Sequence, residues 1–543
     1  MLPVGAGYIN AALRSEGFDS RLANLSRIPW REAAALLAHV KPDILGLTMY
    51  TFNRHATLRL AAASKASRPD GFVIVGGPHA AHLPRSILES SPAVDAVAAG
   101  EGETLMVELA RCLAAGGDPG HVSGLHLRRG GGVVFTGARE PIASLDALPF
   151  PAPFHEGYHL DATAETGFII TSRGCPGRCT FCNTPEFWGT RMRFRSAASV
   201  VEEIAFLARE RGVLYVSIRD DTFTVHKRRV LELCSRLEEA KLGVLWNCQS
   251  RVNAIDDERL EAMRRAGCEA VQYGVESGSA RILSLLAKDI SLGQVRAAAV
   301  ATRRVGLGLS IYLIGAVPGE TEEDFRATKR LLEEIRPHDA TVAPLAIYPG
   351  TALWEERKRI SGKSDDYWVK EKADTLYAMA KPERARSQAR LAKICRNAMR
   401  ASPSGPRRSK PGPAYAREEL EEHKRLMPGS FAPLLASGLA FEAEGAQGEA
   451  LQEYAQILDL DPANPWALYR SASVLLDSGD PAGALLFARE LAGRHPNHSP
   501  GHALIAEVHL SAGRKARARE AARRAATLDP RDGNAARILR ALG

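Results

Sequence analysis

Thr171-Ser172-Arg173-Gly174-Cys175-Pro176-Gly177-Arg178-Cys179-Thr180-Phe181-Cys182-Asn183 places three cysteines at Cys-x3-Cys-x2-Cys spacing directly after an apolar run at 167–171. On a loop, this spacing lets three thiolates converge on three irons of a cubane, and Gly174 and Gly177 permit the tight backbone path. The fourth iron then has no protein ligand. A structural zinc site is the bland alternative, but zinc takes four closed ligands. No fourth Cys or His stands at CxxC-like spacing, the nearest histidines being His155, His159 and His226. The cubane reading, metal-bound through Cys175, Cys179 and Cys182, is preferred.

The other five cysteines, Cys112, Cys234, Cys248, Cys268 and Cys395, are scattered through 543 residues, too sparse for a disulfide framework. Cys248 and Cys268 read as packing residues of a core. The composition, 45% hydrophobic and 25% charged, is that of globular protein rather than a disordered chain. No run of eighteen apolar residues and no basic leader are present, so a cytoplasmic protein without a transmembrane segment is expected. The formal charge of +8 is local. Lys381 to Lys410 holds ten Lys and Arg against the single acid Glu383, and the remainder is near neutral. A nucleic-acid partner is therefore not expected. Arg386, Arg390, Lys393, Arg396 and Arg400 recur every three or four residues, which favours a solvated helix face over an anion-binding one.

Outward from the cysteines, the chain divides into α/β and all-α parts. Residues 1–137 alternate amphipathic helices with apolar runs at Asp43–Thr48, Phe72–Val75 and Val94–Ala98, the pattern of a Rossmann-like doubly wound sheet. Such a sheet normally opens with a strand. Here Leu2-Pro3-Val4-Gly5 leads straight into a helix, so the expectation is that the first strand is absent or the start misassigned. Val122–Leu127 and Val133–Phe135 read as a hairpin, and a linker is expected over 138–160. Residues 161–360 carry six apolar runs, at 167–171, 213–218, 243–248, 269–274, 309–315 and 340–347, which predict a partial (β/α)6 TIM-like barrel open on one side. A helical basic extension and linker, 361–430, includes Pro403, Ser404, Gly405, Pro406 and Pro411-Gly412-Pro413. Beyond it, Pro462, Pro496 and Pro530, Gly445, Gly479 and Gly513, and Ala450, Ala484 and Ala518 all recur with a period of 34. That period resembles the tetratricopeptide repeat (TPR), giving three units over 431–534 and a groove for a protein or peptide partner. His502 and His509 fall at positions usually apolar or aromatic, and no metal is assigned to them.

The strand ends resemble the radical S-adenosylmethionine (SAM) superfamily, in the class with an N-terminal cobalamin-binding domain. The segments are Ile218-Arg219-Asp220-Asp221-Thr222-Phe223, Trp246-Asn247-Cys248-Gln249-Ser250-Arg251, Tyr273-Gly274-Val275-Glu276-Ser277-Gly278, Gly315-Ala316-Val317-Pro318-Gly319-Glu320-Thr321 and Tyr348-Pro349-Gly350-Thr351. The resemblance implies a [4Fe-4S] cluster whose open iron chelates SAM, with Phe181 shielding it from water. It implies Glu276 and Ser277 near the ribose, Arg251 near the carboxylate and Gly315 beside the adenine. A carboxylate suits ribose hydroxyls and an Arg fork suits a carboxylate. Read alone, Glu276 could equally cap a helix starting near Ser279, and Arg251 could be a surface ion pair. Asp220 and Asp221 orient substrate or start the next helix.

The first domain is similar to the cobalamin module through Gly76-Gly77-Pro78-His79 and Gly100-Glu101-Gly102-Glu103. No Asp-x-His-x-x-Gly is present, so no histidine is offered as a lower cobalt ligand. The resemblance implies one-electron cleavage of SAM to a 5′-deoxyadenosyl radical, hydrogen abstraction from an unactivated carbon and methyl transfer from cobalamin. A flavodoxin or ferredoxin would supply electrons. Radical cyclisation, rearrangement or carbon–carbon bond formation without methyl transfer is the alternative outcome. An interaction protein whose repeats work beside a relic barrel is the alternative class. The organic substrate is not legible, because barrel specificity resides in loops.

Overall fold

A computed structural model describes residues 4–26, 28–160, 167–371, 375–400 and 415–543. The expected Pro/Gly-rich linker from Pro403 to Pro413 lies outside them, as do Leu2 and Pro3. In the N-terminal unit, β1 (Ile44–Thr48), β2 (Phe72–Gly76) and β3 (Ala96–Ala98) run parallel, and β4 (Leu125–Arg129) and β5 (Gly132–Phe135) follow as an antiparallel hairpin. Gly130 and Gly131 take the positive φ values, 56° and 81°, that the two-residue hairpin turn requires. Alternation along β2 sends Val73 and Val75 to one core and Ile74 to another, so both faces are covered. Helices α1 (Val4–Ser15) and α5 (Gly102–Ala114) pack together on one face, while α3 (Arg54–Ser67), against which α2 (Trp30–Val40) lies, and α4 (Pro84–Ser90) serve the other.

The strand order follows the chain, β1-β2-β3-β4-β5, without the reversal that marks a doubly wound switch point. Among the described residues, β1 is one edge of the sheet, and its residues are only half-buried or exposed. The short strand Leu22–Ala23 pairs instead with Gly157–Tyr158 inside the expected linker, which ties that linker back to the first unit.

The second unit is a six-stranded, wholly parallel sheet in chain order: β6 (Phe168–Ile169), β7 (Tyr215–Ile218), β8 (Leu245–Ser250), β9 (Cys268–Glu276), β10 (Gly308–Gly315) and β11 (Asp339–Pro344). β6 and β11 do not pair, so the barrel is open. Val216, Trp246, Cys248, Val271, Tyr273, Leu309 and Ile311 point outward into one core with the surrounding helices. Cys234, Cys248 and Cys268 are fully buried there and are packing residues. The opposite face is polar. Ser217 Oγ donates to Asn247 Oδ1 at 2.6 Å, Asn247 Nδ2 to the Tyr215 hydroxyl at 3.0 Å, and the Tyr312 hydroxyl to Gln272 Oε1 at 3.3 Å.

The basic extension expected at 361–430 is not a separate unit. Its helix, Lys381–Arg400, packs on β10 and β11, and Leu391, Cys395 and Ala398 belong to the barrel core. It takes the place of the helix that would follow β11. The helix Ala352–Ser361, which does follow it in sequence, turns to the first unit and buries Trp354 with Trp368 against Val73, Val75 and Ile87. Arg54 clasps this junction: Nε donates to the Trp368 carbonyl, Nη1 to that of Thr51 and Nη2 to that of Glu371.

The C-terminal helices pair antiparallel: Phe431–Glu444 with Gln447–Leu460, Pro465–Asp477 with Pro481–Arg494, and Ser499–Ser511 with Lys515–Leu528, before a final helix Gly533–Leu542. Gly445, Gly479 and Gly513 sit between the helices of each pair with φ of 81°, 81° and 72°, the left-handed cap that glycine tolerates. The array is docked on the barrel. The turns before β7, β8, β9 and β10, at Gly212, Gly243, Gly267 and Gly306, lie against Asn497, Pro465, Phe431 and His423 in turn. These turns all precede strands, so the repeats occupy the rim opposite the loops that follow the strands.

Candidate functional site

The cysteine loop leaves the end of β6 and is fixed from several directions. Asp220, after β7, accepts the Thr171 N–H and the Thr171 and Ser172 hydroxyls, all at 2.6 Å. Asp220 therefore shapes the cluster loop rather than starting a helix, while Asp221 accepts from the Thr184 hydroxyl at 3.0 Å. The Thr180 N–H donates to the Leu286 carbonyl at 3.1 Å. Cys175, Cys179 and Cys182 are half-buried free thiols. Each sulfur has a polar neighbour: Thr222 Oγ1 at 3.7 Å for Cys175, Arg251 Nη1 at 3.8 Å for Cys179 and the Thr184 N–H at 3.4 Å for Cys182. Burial pushes the Cys182 thiol up, and the Thr184 hydrogen bonds pull against it. A positive guanidinium and a donated N–H are what thiolates need on binding iron. Among the described residues, no three His, Cys, Asp or Glu side chains are gathered to hold a single ion. A cubane makes a different demand, one thiolate on each of three irons. Gly177 leaves room for the guanidinium beside the loop: a Cβ there would meet Arg251 Nη1 at 2.8 Å. Phe181 packs with Ile282, Leu286, Ile314, Val317 and Leu345, forming an apolar wall behind the last cysteine.

Strained backbone surrounds this loop. Glu276, Ala287, Asp289 and Ala316 have φ of 64°, 47°, 50° and 59°, costly for non-glycine residues; Glu276 and Ala316 stand at strand ends, Ala287 and Asp289 in the turn after the helix Ala280–Leu285. The β9–β10 register slips at Gly274/Glu276, which turns the Glu276 carboxylate onto Lys288 Nζ at 2.7 Å, both side chains 8% exposed. Arg251 Nη2 donates to the Lys288 and Asp289 carbonyls at 2.7 and 3.1 Å. Arg251 is thus buried between the cysteine loop and the 286–289 turn, not a surface ion pair, and Glu276 is not a helix cap. Ser279 caps the helix Ala280–Leu285. Ser277 faces inward, its Oγ 3.5 Å from Thr328 Oγ1 and accepting the Ser279 N–H at 3.1 Å. A Cβ on Gly315 would meet Leu391 Cδ2 at 3.3 Å and Ser387 Oγ at 3.4 Å, so that side is covered by Lys381–Arg400. Glu276, Arg251 and the cysteines come together; Ser277 and Gly315 turn their variable sides away.

At the first unit's strand ends, Gly77 has φ 99° and a Cβ there would lie 3.0 Å from the Met49 carbonyl oxygen. Gly76 approaches Ala98, whereas Gly100, φ 84°, opens onto free space. His79 is buried; its Nδ1 is 3.0 Å from Thr51 Oγ1, and its ring meets Trp368 edge-on. Burial, with Arg54 adding to it, lowers His79 to about 3. His79 Nε2 has no partner. Tyr50 stacks on Phe52, which is 66% exposed. An open glycine, an exposed Phe52 ring backed by half-buried Tyr50 and an orphaned imidazole nitrogen suit a large, mixed-polarity cofactor along this edge. Glu101 does not face that space. It pairs with Arg173 and Arg193, and burial, which alone would raise its carboxyl, is outweighed by them.

Comparison with known proteins fits this arrangement. Residues 169–332 match the profile of the radical SAM superfamily, and residues 1–110 that of the B12 binding domain. An uncharacterized methyltransferase of Pyrococcus horikoshii is 32% identical over 359 residues, 65% of this chain and 78% of that protein. The chain belongs to the radical SAM superfamily. It is an enzyme, and its cofactors are a [4Fe-4S] cluster, SAM and cobalamin. An anaerobic magnesium-protoporphyrin IX monomethyl ester cyclase of Rubrivivax gelatinosus is 28% identical over 369 residues, 65% of this chain and 66% of that protein. The solved radical SAM methyltransferase TsrM of Kitasatospora setae shares the fold, with a TM-score of 0.61 at 17% identity over 84% of this chain and 96% of that one.

Several residues of this radical SAM site escaped sequence reasoning. Lys288 carried no readable signal, since its role depends on a register slip; Asp220 was singled out at its strand end, but its hold on the cysteine loop rests on cross-strand hydrogen bonds that no linear pattern shows. Tyr50 and Phe52 follow β1 as Gly77 follows β2, and that parallel position could have flagged them.

Proposed function

We propose that this chain is a cobalamin-dependent radical SAM methyltransferase acting on an unactivated carbon of an organic substrate. The observation that carries the reading is the junction of the cysteine loop with the B12-binding sheet edge, where Arg173, two residues before Cys175, meets Glu101, one residue after Gly100. When bound, the cluster with SAM supplies the 5′-deoxyadenosyl radical and cobalamin the methyl group. Cys175, Cys179 and Cys182 ligate the cluster, and Phe181 keeps water from it. Arg251, already pinned by two carbonyls, holds the carboxylate of SAM. Glu276, steadied by Lys288, serves the ribose; Ser277 shapes the turn beside it, and Gly315 leaves its backbone edge to the adenine. Gly76, Gly77, His79 and Gly100 border cobalamin, and Glu101 acts through the arginines.

In this reading residues 1–137 are the cobalamin module, 161–360 the barrel completed by Lys381–Arg400, and 431–534 three TPR units. The enzyme works in the cytoplasm with electrons from a flavodoxin or ferredoxin. No helix of the described residues is long and apolar enough to cross a membrane. The repeats receive a protein or peptide partner on the rim away from the cluster, which suits docking better than delivery of substrate into the barrel mouth.

The test is anaerobic reconstitution with iron, sulfide, hydroxocobalamin and SAM, with dithionite or reduced flavodoxin as the electron donor. S-adenosylhomocysteine and 5′-deoxyadenosine formed together are expected. The cyclase relative favours one second reading, radical ring closure. 5′-Deoxyadenosine without S-adenosylhomocysteine would select it, and a preparation that binds no iron and cleaves no SAM would overturn both.

A further inference from the structure

Arg173 lies between two machineries without belonging to either. It forms a two-residue strand with Ser172, paired antiparallel to Arg193–Phe194, and stands two residues before Cys175. Its guanidinium is 5% exposed and forks between Glu101 and Glu103, which are 8% and 4% exposed. The second oxygen of Glu101 takes Arg193 Nη1 at 2.7 Å and the Ile142 N–H at 2.6 Å. Two arginines and two glutamates thus form a closed, neutral, buried set. The Tyr8 and Trp188 rings flank Arg173 at 5.5 and 4.9 Å. Glu101 and Glu103 open helix α5, where carboxylates are favoured by the helix dipole.

Resting on the reading above, we propose that Arg173 is a positioning residue that couples the cobalamin-binding edge of the first sheet to the cluster loop. Stability alone does not account for the arrangement, because a buried ion set is a poor source of net stability and a good source of fixed geometry. Gly100, the open position on the sheet edge, adjoins Glu101, and Gly174 is the sole residue between Arg173 and the first cluster cysteine. Any shift of the edge on filling is therefore passed to the cysteine loop through one fork. Lysine, a point charge, can satisfy one glutamate but not both in this planar geometry.

The experiment uses the full chain, reconstituted with iron and sulfide, and hydroxocobalamin as the probe. In the wild type, hydroxocobalamin is expected to slow amide exchange over 171–177 at least fivefold. Arg173→Gln should bind as much iron as the wild type, weaken hydroxocobalamin binding at least tenfold by visible absorption titration, and lose that slowing. Arg173→Lys should restore part of both. Glu103→Gln, which leaves the Glu101 contact in place, should give an intermediate loss and keeps the question answerable if Arg173→Gln does not fold. A merely structural ion set would raise exchange equally with and without the probe. Retention within twofold of both the affinity and the probe-dependent slowing in Arg173→Gln overturns the proposal. A wild type that binds no hydroxocobalamin would overturn the cobalamin reading itself, and this proposal with it.

Discussion

Gly274 shows how finely the residue scale is set. A methyl group there would lie 2.6 Å from both Glu276 Oε1 and Lys288 Nζ. Gly274→Ala must therefore break or displace that buried pair, and removing one side of such a pair costs about 3 kcal/mol or more. The expected outcome is a SAM dissociation constant raised about tenfold, equivalent to about 1.4 kcal/mol, read by equilibrium dialysis on reconstituted protein. An unchanged constant would mean that Glu276 serves no ligand. The buried histidines act at the same scale. Burial holds His79 near 3, and His423 and His498 near 4. Because these folded-state values lie below the ordinary 6.5, the unfolded chain takes up protons first as pH falls. The stabilisation is complete above pH 6.5 and is lost as pH drops towards 4. Each histidine forfeits roughly 1.4 kcal/mol by pH 5.5. Thermal melts at pH 7.5 and 5.5 should differ by several degrees, and His423→Gln should narrow the gap. The cysteine spacing was legible because it is local. The Lys288 partnership was not, because a one-residue slip between two strands separates it from any linear pattern.

At the scale of elements, the helix Lys381–Arg400 separates what charge spacing reveals from what it hides. Its arginines and lysines recur as a solvated face requires: Arg386, Lys393 and Arg396 are exposed, while Arg390 pairs with Glu322 and lies over the Phe325 ring at 4.4 Å. The sparse apolar positions between them decide where the helix goes. Leu391→Ala is expected to cost about 2–4 kcal/mol, whereas Lys393→Ala should fall within about 0.5 kcal/mol of wild type; chemical unfolding of the two variants measures both. Equal effects would mean that the helix does not close the barrel. Each barrel strand was legible as an apolar run, because one face of the sheet meets helices. The lumen face, with Ser217, Asn247, Gln249, Gln272 and Ser310, interrupts those runs and blurs the strand ends by one or two residues. The 34-residue period gave the repeats, yet it could not show where they dock, since Asn497, Pro465 and Phe431 meet turns more than 150 residues away.

Taken whole, the molecule is bolted together by buried arginines that hold backbone carbonyls. Arg264 is 4% exposed and joins the barrel to the repeats through the Cys268 and Ala432 carbonyls, each at 3.1 Å. Arg54 does the same between the first unit and the segment after the barrel. Deleting residues 415–543 would bare the turns at Gly212, Gly243, Gly267 and Gly306 and leave Arg264 with half its bonds. The truncated chain is expected to lose most of its soluble yield, and Arg264→Met in the full chain to unfold several degrees lower than wild type. Soluble expression at wild-type level after truncation would show the array to be a detachable appendage. The parallel strands of the first unit were legible as apolar runs, whereas the clasp by Arg54 depends on residues more than 300 positions apart.

The seating of the helical pairs on the far rim of the barrel has a practical consequence. Whatever is captured there is held at the enzyme's back, with its front unobstructed. Under the partner-docking role proposed above, recruitment and turnover are separable properties: the docking surface can drift under selection while the chemistry at the opposite pole stays as it is.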